Sequence, residues 1–280
     1  MTGKLYVVAT PIGNLGDISP RALETLRSVD FIAAEDTRVG ARLLSHFEIK
    51  CPQISYFEHN RRMKGEYIAE RIEHGESCAI ITDAGTPAIS DPGTDLVALC
   101  AARGIEVLTV PGCCAAVSAL SVSGMDCGRF TFEGFLSTNR KSRTEHLAEL
   151  KTERRTMVFY EAPHKLRNTL RDMRECFGGE RRIALCRELT KKFEETRRCT
   201  LAEAEAYYAE TPPRGEFVLI VEGCGEAKPP QENADLLAEV GALIADGLSL
   251  TEAVRQVSRA HSTPKNALYR AALERFGDEA

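Results

Sequence analysis

Between Lys4 and about Val122, short apolar runs of strand length alternate with stretches of helical periodicity, and each run ends in glycine, proline and small polar residues. Alternation of this kind folds into a mostly parallel sheet with helices on its faces. Crossovers between parallel strands keep one hand, so the loops after the strands open on one edge of the sheet, where open sheets bind ligands. The loop that constrains most is Asp83 to Gly93, Asp-Ala-Gly-Thr-Pro-Ala-Ile-Ser-Asp-Pro-Gly, which is too rich in turn-formers for helix or strand. It lies between a buried strand, Ser77 to Thr82, and a helix, Thr94 to Arg103. Alone it would read as a long crossover. Loops at Pro11, Glu35 and Gly112 are expected on the same edge and turn it into one wall of a crevice.

The first strand, Lys4 to Ala9, runs into Thr10-Pro11-Ile12-Gly13-Asn14-Leu15-Gly16-Asp17, and Ser19 caps a helix with Pro20 at its first position. Gly13 and Gly16 do not make Gly-x-Gly-x-x-Gly, and no Lys-Ser/Thr follows, so neither a dinucleotide nor a phosphate loop is indicated. The second strand, Phe31 to Ala34, leads into Glu35-Asp36-Thr37-Arg38. Asp36 or Thr37 can cap the next helix, but capping does not account for Arg38, so chemistry is expected here as well. A third strand, Gln53 to Tyr56, precedes His59, which reads as a solvated surface histidine. The fifth, Glu106 to Val110, ends in Pro111-Gly112-Cys113-Cys114-Ala115-Ala116, small residues that let backbone approach a ligand or helix approach sheet.

Gly124 to Gly128 interrupts the pattern and marks a boundary. A second α/β segment follows, with strands at Phe130 to Glu133, Thr156 to Tyr160, Arg182 to Cys186, Glu195 to Thr200 and Phe217 to Glu222. Arg140-Lys141-Ser142-Arg143 is its densest basic cluster. Gly223 to Asn233, with Pro229-Pro230, reads as a linker. Three helices follow, from Ala234, Leu250 and Pro264, with a capping box at Ser249 and Glu252 and a cap at Thr263-Pro264. Every charged residue between Ala253 and Ala272 is basic: Arg255, Arg259, Lys265 and Arg270. The expected architecture is therefore α/β, with an N-terminal domain over 1–123, a second over 124–224, and a helix-turn-helix-like extension over 225–280.

A net charge of -5 and a pI near 5.8 argue against a chain coated for nucleic acid but leave room for a local basic face. The ten cysteines include no Cys-x-x-Cys and mostly replace small apolar residues, so reduced core thiols and no metal are expected. No apolar run reaches membrane-spanning length, and the start enters a strand without a basic-then-apolar leader, which points to the cytosol and no membrane.

Taken in order, Thr10 to Asp17, Glu35 to Arg38, Asp83 to Gly93, Phe159-Tyr160-Glu161, Arg187-Glu188-Leu189-Thr190-Lys191, Arg214-Gly215-Glu216 and Lys265-Asn266-Ala267-Leu268-Tyr269 resemble the bacterial ribosomal RNA small subunit methyltransferase I family. That family belongs to the tetrapyrrole-methylase-like superfamily, and the resemblance covers essentially the whole chain. It departs from the family pattern at Cys113 and Ser137, where the family has proline.

The resemblance implies two α/β domains of the tetrapyrrole methylase type with S-adenosylmethionine in the cleft between them, and usually a homodimer. The implied reaction is methylation of a cytidine 2′-hydroxyl in the decoding region of 16S rRNA, with the small ribosomal subunit as partner. Such a donor carries no phosphate, so backbone-rich loops and a few carboxylates suffice to hold it. In-line positioning can contribute on the order of 7–11 kcal/mol and a general base about 10²–10⁴-fold. The donor is accordingly expected at Pro11, Gly13, Asp83, Ala84, Gly85, Thr86, Pro87 and Ser90, and at Gly112, Ala115, Leu136, Tyr160 and Glu161. Glu35, Asp36 and Arg38 are the expected catalytic group. Arg140, Lys141, Arg143, Lys191, Arg255, Arg259, Lys265 and Arg270 are the expected RNA contacts. A tetrapyrrole or protein side-chain methyltransferase of the same superfamily, and a non-enzymatic ligand-sensing RNA-binding module, are the alternatives.

Overall fold

The computed structural model describes residues 3–225, 232–261 and 265–276. The chain divides into two compact units, Met1–Cys224 and Gly225–Ala280.

The first unit holds two five-stranded sheets. In the first, β1 (Lys4–Val8), β2 (Phe31–Ala34), β3 (Gln53–Ser55), β4 (Cys78–Ile81) and β5 (Glu106–Val110) lie in the order β3-β2-β4-β1-β5, every pair parallel. Strands β2 and β4 are buried along their whole length, Phe-Ile-Ala-Ala and Cys-Ala-Ile-Ile, as expected of parallel strands covered on both faces. Helices α1 (Pro20–Ser28) and α2 (Thr37–His46) cover one face, where Leu26 and Leu44 meet Val8, Ile32 and Ile81. Helices α3 (Arg61–Glu73) and α4 (Thr94–Ala102) cover the other, where Ile68, Ile72 and Leu96 meet Phe31 and Ile80. The Ser19 side chain accepts the Ala22 N–H and Pro20 opens α1, as the sequence indicates.

Helix α5 (Ala115–Ser123) buries its apolar face against the second sheet: Ala116, Ala119 and Leu120 pack on Val158, Ala184 and Ile220. Arg198 reaches across to donate to the carbonyls of Val122 and Ser123, satisfying the end of the helix, and Gly124 follows with φ 75°.

The second sheet has β6 (Phe130–Phe135), β7 (Thr156–Glu161), β8 (Arg182–Arg187), β9 (Glu195–Thr200) and β10 (Phe217–Val221) in the order β6-β7-β10-β8-β9. Only β6 and β7 run parallel; the last strand inserts antiparallel between β7 and β8. Helices α6 (Arg140–Glu149), α7 (Pro163–Phe177) and α8 (Leu201–Glu210) enclose the core of Leu147, Phe159, Leu166, Leu170 and Leu219. A full capping box of Thr200 and Glu203 starts α8.

The basic cluster at the start of α6 divides. Arg140 and Lys141 are exposed, whereas Arg143 is only 7% exposed and corrects the expectation of an RNA contact there. With Asn139 as the cap, Arg143 falls one turn before Leu147 on the inward face of α6. Its guanidinium grips Asp172 of α7 at 2.6 and 2.7 Å and donates to the Ser137 carbonyl at 3.0 Å. Asp172→Ala would strand a buried charge, so urea denaturation is expected to show a loss of about 3–5 kcal/mol. Replacing both partners with apolar residues of similar volume should cost much less.

The second unit is a bundle of α9 (Glu232–Ala245), α10 (Leu250–Ala260) and α11 (Lys265–Phe276) around Leu236, Val240, Val254, Val257, Leu268 and Ala272. Ser249 caps α10 through the Glu252 N–H, but the Glu252 carboxylate returns to the Ser249 hydroxyl and not to its backbone N–H. Arg255 and Arg259 are exposed, away from the buried Ala253, Val254 and Val257, and Lys265 and Arg270 are exposed on α11. The Thr263-Pro264 cap and the Pro229-Pro230 linker lie outside the described residues. Among the described residues no helix is long and apolar enough to cross a membrane.

Candidate active site

Strands β4, β1 and β5 are neighbours, so their carboxyl-end loops meet. They are also stitched together. Thr10 and Gly85 exchange two backbone hydrogen bonds, at 2.8 and 3.1 Å, and the Thr10 hydroxyl donates to the Thr82 carbonyl at 3.1 Å. The Thr86 hydroxyl donates to the Cys113 carbonyl at 2.9 Å, bringing in the third loop. Gly85 sits at φ +90°, and a Cβ there would lie 3.3 Å from the Ile12 side chain. Across from these loops, the Tyr160 hydroxyl accepts the Ala116 N–H at 3.1 Å, tying β7 to the start of α5.

The result is a cleft of about 360 Å³ between the two sheets. Of the expected donor residues, Ala84, Gly85, Thr86 and Ser90 line it, with Ala115, Tyr160 and Glu161. The others do not. Asp83 and Pro11 border a separate hollow beside α2, and Pro87 is buried. A Cβ on Gly112 would meet Ala9 at 3.0 Å, so this glycine lets the loop after β5 pass close to the end of β1, and Leu136 is 2% exposed in the second core. Gly13 lies under Lys191, whose Cγ a Cβ would meet at 2.5 Å. The two departures from the family pattern are both accommodated: the Cys113 thiol donates to the Asp17 carbonyl at 3.5 Å, and the Ser137 hydroxyl accepts the Asn139 N–H at 3.2 Å.

Much of the opposite wall comes from residues to which the sequence reading gave no site role: Glu188, Leu189 and Glu216, from motifs that carry the resemblance, and Cys186 and Phe217, read only as parts of strands. Lys191 belongs to this wall. Its ammonium lies 2.8 Å from both Glu188 and Glu216, so the Lys191 charge, expected to contact RNA, is already matched by two carboxylates. Burial alone would lower its pKa, but these two carboxylates outweigh it and raise it. Backbone strain concentrates on both sides of the cleft: Ala88 and Ser90 have φ of 70° and 63°, Glu188 and Thr190 of 50° and 65°. Left-handed residues other than glycine cost on the order of 1 kcal/mol each and persist where the surroundings hold them.

The acidic group is split. Asp36 caps α2 and holds the Arg38 guanidinium at 2.6 to 3.2 Å, and those hydrogen bonds push its carboxyl down to about 2. Arg38 is otherwise in water, its side chain 85% exposed, so Asp36 and Arg38 form a cap and its partner, and none of Glu35, Asp36 and Arg38 lines the donor cleft. Glu35 accepts the Asp83 N–H at 3.3 Å and Asp83 accepts the Asp36 N–H at 3.2 Å. Burial, first of all, raises the pKa of both Glu35 and Asp83. Glu35 lines a second, polar cavity of about 470 Å³ together with Phe57, His59, Arg61, Ser90 and Asp91. His59 is exposed, in keeping with its reading as a solvated histidine, and stands at the edge of this cavity.

Asp91, hidden in the turn signal Ser-Asp-Pro-Gly, lines both cavities. Burial, then the charges of Glu35 and Asp83, push its carboxyl up to about 6. The native state thus holds the proton more tightly than the unfolded chain, and the ionised group costs stability that grows from about pH 4 to about pH 6 and is fully present above. Asp91→Asn is expected to stabilise the fold at pH 8 by about 1 kcal/mol, after allowing for partial solvent screening, and hardly at all at pH 4. Thermal unfolding at the two pH values checks this; an equal gain at both would contradict it.

Residues 4–205 match the family of Tetrapyrrole (Corrin/Porphyrin) Methylases. Over nearly its whole length the chain is also similar to proteins named ribosomal RNA small subunit methyltransferase I. It is 47% identical over 277 residues to that of Synechocystis sp., covering 99% of each chain. The chain belongs to the ribosomal RNA small subunit methyltransferase I family of tetrapyrrole methylases. The member from Pseudomonas aeruginosa is 47% identical over 279 residues, covering 98% of each chain. The family match ends at residue 205, before β10, whereas these relatives cover 98–99% of the chain and so share most of the three-helix unit. The methylase fold itself recurs at low identity. Uroporphyrin-III-C-methyltransferase from Thermus thermophilus gives a TM-score of 0.56 at 20% identity, over 79% of this chain and 94% of that one. Diphthine synthase gives 0.59 at 11% identity, over 78% and 89%.

Proposed function

We propose that the chain is an S-adenosylmethionine-dependent methyltransferase acting on the 2′-hydroxyl of a cytidine in the decoding region of 16S rRNA. The proposed setting is the small ribosomal subunit, in the cytoplasm, with the enzyme as a homodimer. The observation that carries this reading is the match to small-subunit rRNA methyltransferases at 47% identity through the terminal helices.

The cleft suits the donor. Its volume of about 360 Å³ lies at the small end of small-molecule sites. Ile12, Phe135 and Leu189 offer apolar surface for a purine, Thr86 and Ser90 offer hydroxyls, and Glu188 and Glu216, two carboxylates sharing the one Lys191 ammonium, leave a net negative charge for a cationic ligand. When bound, the donor supplies an electrophilic methyl on a positively charged sulfur. The protein's part is to hold it against the stitched loops, exclude water and aim the accepting oxygen in line, for which positioning can contribute on the order of 7–11 kcal/mol. The reading calls for no metal. Arg38, Arg140 and Lys141 on the first unit, and Arg255, Arg259, Lys265 and Arg270 on the second, are exposed cations suited to RNA phosphate.

The test offers donor labelled in its methyl group together with small subunits, naked 16S rRNA, a tetrapyrrole and soluble protein. Label is expected in RNA. Label in the tetrapyrrole or in protein, with none in RNA, would contradict the reading.

A further inference from the structure

The polar cavity beside the donor cleft has a lining suited to a nucleotide. Phe57, 38% exposed, stands there with His59, their ring centroids 6.1 Å apart and edge to face. The loop that carries them is braced: the Phe57 N–H donates to Asn60 Oδ1 at 2.9 Å, and Asn60 Nδ2 donates to the Ser55 carbonyl at 3.0 Å. Arg61 is held by Asp95 at 3.0 Å. A large aromatic kept in solvent on a fixed loop is what stacking of an unstacked base requires, and Glu58 and Asp95 are acceptors of the kind that read the amino group of cytosine. Ser90 and Asp91 stand between this cavity and the donor cleft, lining both.

We propose that the cavity seats the target nucleotide turned out of its RNA stack, with the base on Phe57, and that Asp91 accepts the proton of the hydroxyl that takes the methyl. The proposal rests on the methyl-transfer reading above. In the step, the hydroxyl oxygen bonds the methyl carbon as the carbon–sulfur bond breaks, and the electron pair of that bond stays on sulfur. The hydroxyl proton passes to an Asp91 carboxylate oxygen and from there to water. Glu35 does not line the donor cleft and already accepts the Asp83 N–H, whereas Asp91 faces both sides. The charges around Asp91 are Glu35 and Asp83 from the ends of β2 and β4, Glu58, His59, Arg61 and Asp95 around the cavity, and the Tyr160 hydroxyl across the cleft. Burial and the first two hold its proton affinity at about 6, suited to accepting a proton near neutral pH.

The experiment is single-turnover transfer of labelled methyl to small subunits by wild type, Asp91→Asn, Phe57→Ala and Phe57→Trp, with donor affinity measured by calorimetry. Asp91→Asn is expected to slow transfer on the order of 10²–10⁴-fold with donor affinity almost unchanged. The wild-type rate should rise with pH through about 6 and level off, and the variant should lose that inflection. Phe57→Ala is expected to weaken use of subunits roughly ten- to a hundredfold, with Phe57→Trp retaining it. Asp91→Asn at the wild-type rate and pH profile, loss of donor binding in that variant, or Phe57→Ala as efficient as wild type would each overturn the proposal. A wild-type protein that labels no RNA would fell the underlying reading, and the proposal with it.

Discussion

Gly85→Val is expected to abolish measurable donor binding while leaving the protein folded. At φ +90° a β-branched residue is strained by about 1–3 kcal/mol, which a domain stable by about 5–15 kcal/mol survives. The local damage is larger. Both backbone groups of Gly85 are bonded to Thr10, so the backbone cannot turn away without parting the ends of β1 and β4. The new Cβ, 3.3 Å from Ile12 Cγ2, pushes a side chain that lines the cleft. Affinity by calorimetry should fall at least about a hundredfold, roughly 3 kcal/mol, with the circular dichroism spectrum intact. Unchanged affinity would place the donor elsewhere.

Changing Arg255, Arg259, Lys265 and Arg270 to glutamine in the full chain is expected to have the other large effect, on RNA and not on the donor. All four are exposed, on a protein whose net charge of -5 would otherwise repel phosphate. If each makes one phosphate contact, the log-log salt slope of subunit binding should flatten by roughly three to four units. Donor affinity should not move. An unaltered slope would assign the second unit to packing or to the dimer surface.

Strand and loop order in the first half of the chain is legible in the sequence because the punctuation is local. Glycine, proline and caps such as Ser19 end each element, and one parallel hand then places the loops. What stayed hidden is long-range. Nothing near Phe217 announces that β10 inserts between β7 and β8, so the wall built on Cys186, Glu188 and Glu216 could not be assembled from local pattern. Charge misled for a related reason. Asp36 with Arg38, Arg143 with Asp172, and Lys191 with Glu188 and Glu216 are mutual partners, and a basic or acidic residue shows its partner only once the chain is folded. Asp91 was missed because a carboxylate before Pro-Gly is an ordinary turn residue until two cavities are found on either side of it.

A cleft between the two sheets that delivers a methyl group to a ribose hydroxyl of small-subunit RNA must leave a ribose-methylated nucleoside as its product. The most direct measurement labels small subunits with methyl-labelled donor and the wild-type protein, digests the RNA to nucleosides and identifies the labelled one. The label is expected in 2′-O-methylcytidine, and Gly85→Val is expected to remove it. Label on a base, or in any fraction other than RNA, would contradict the proposed function.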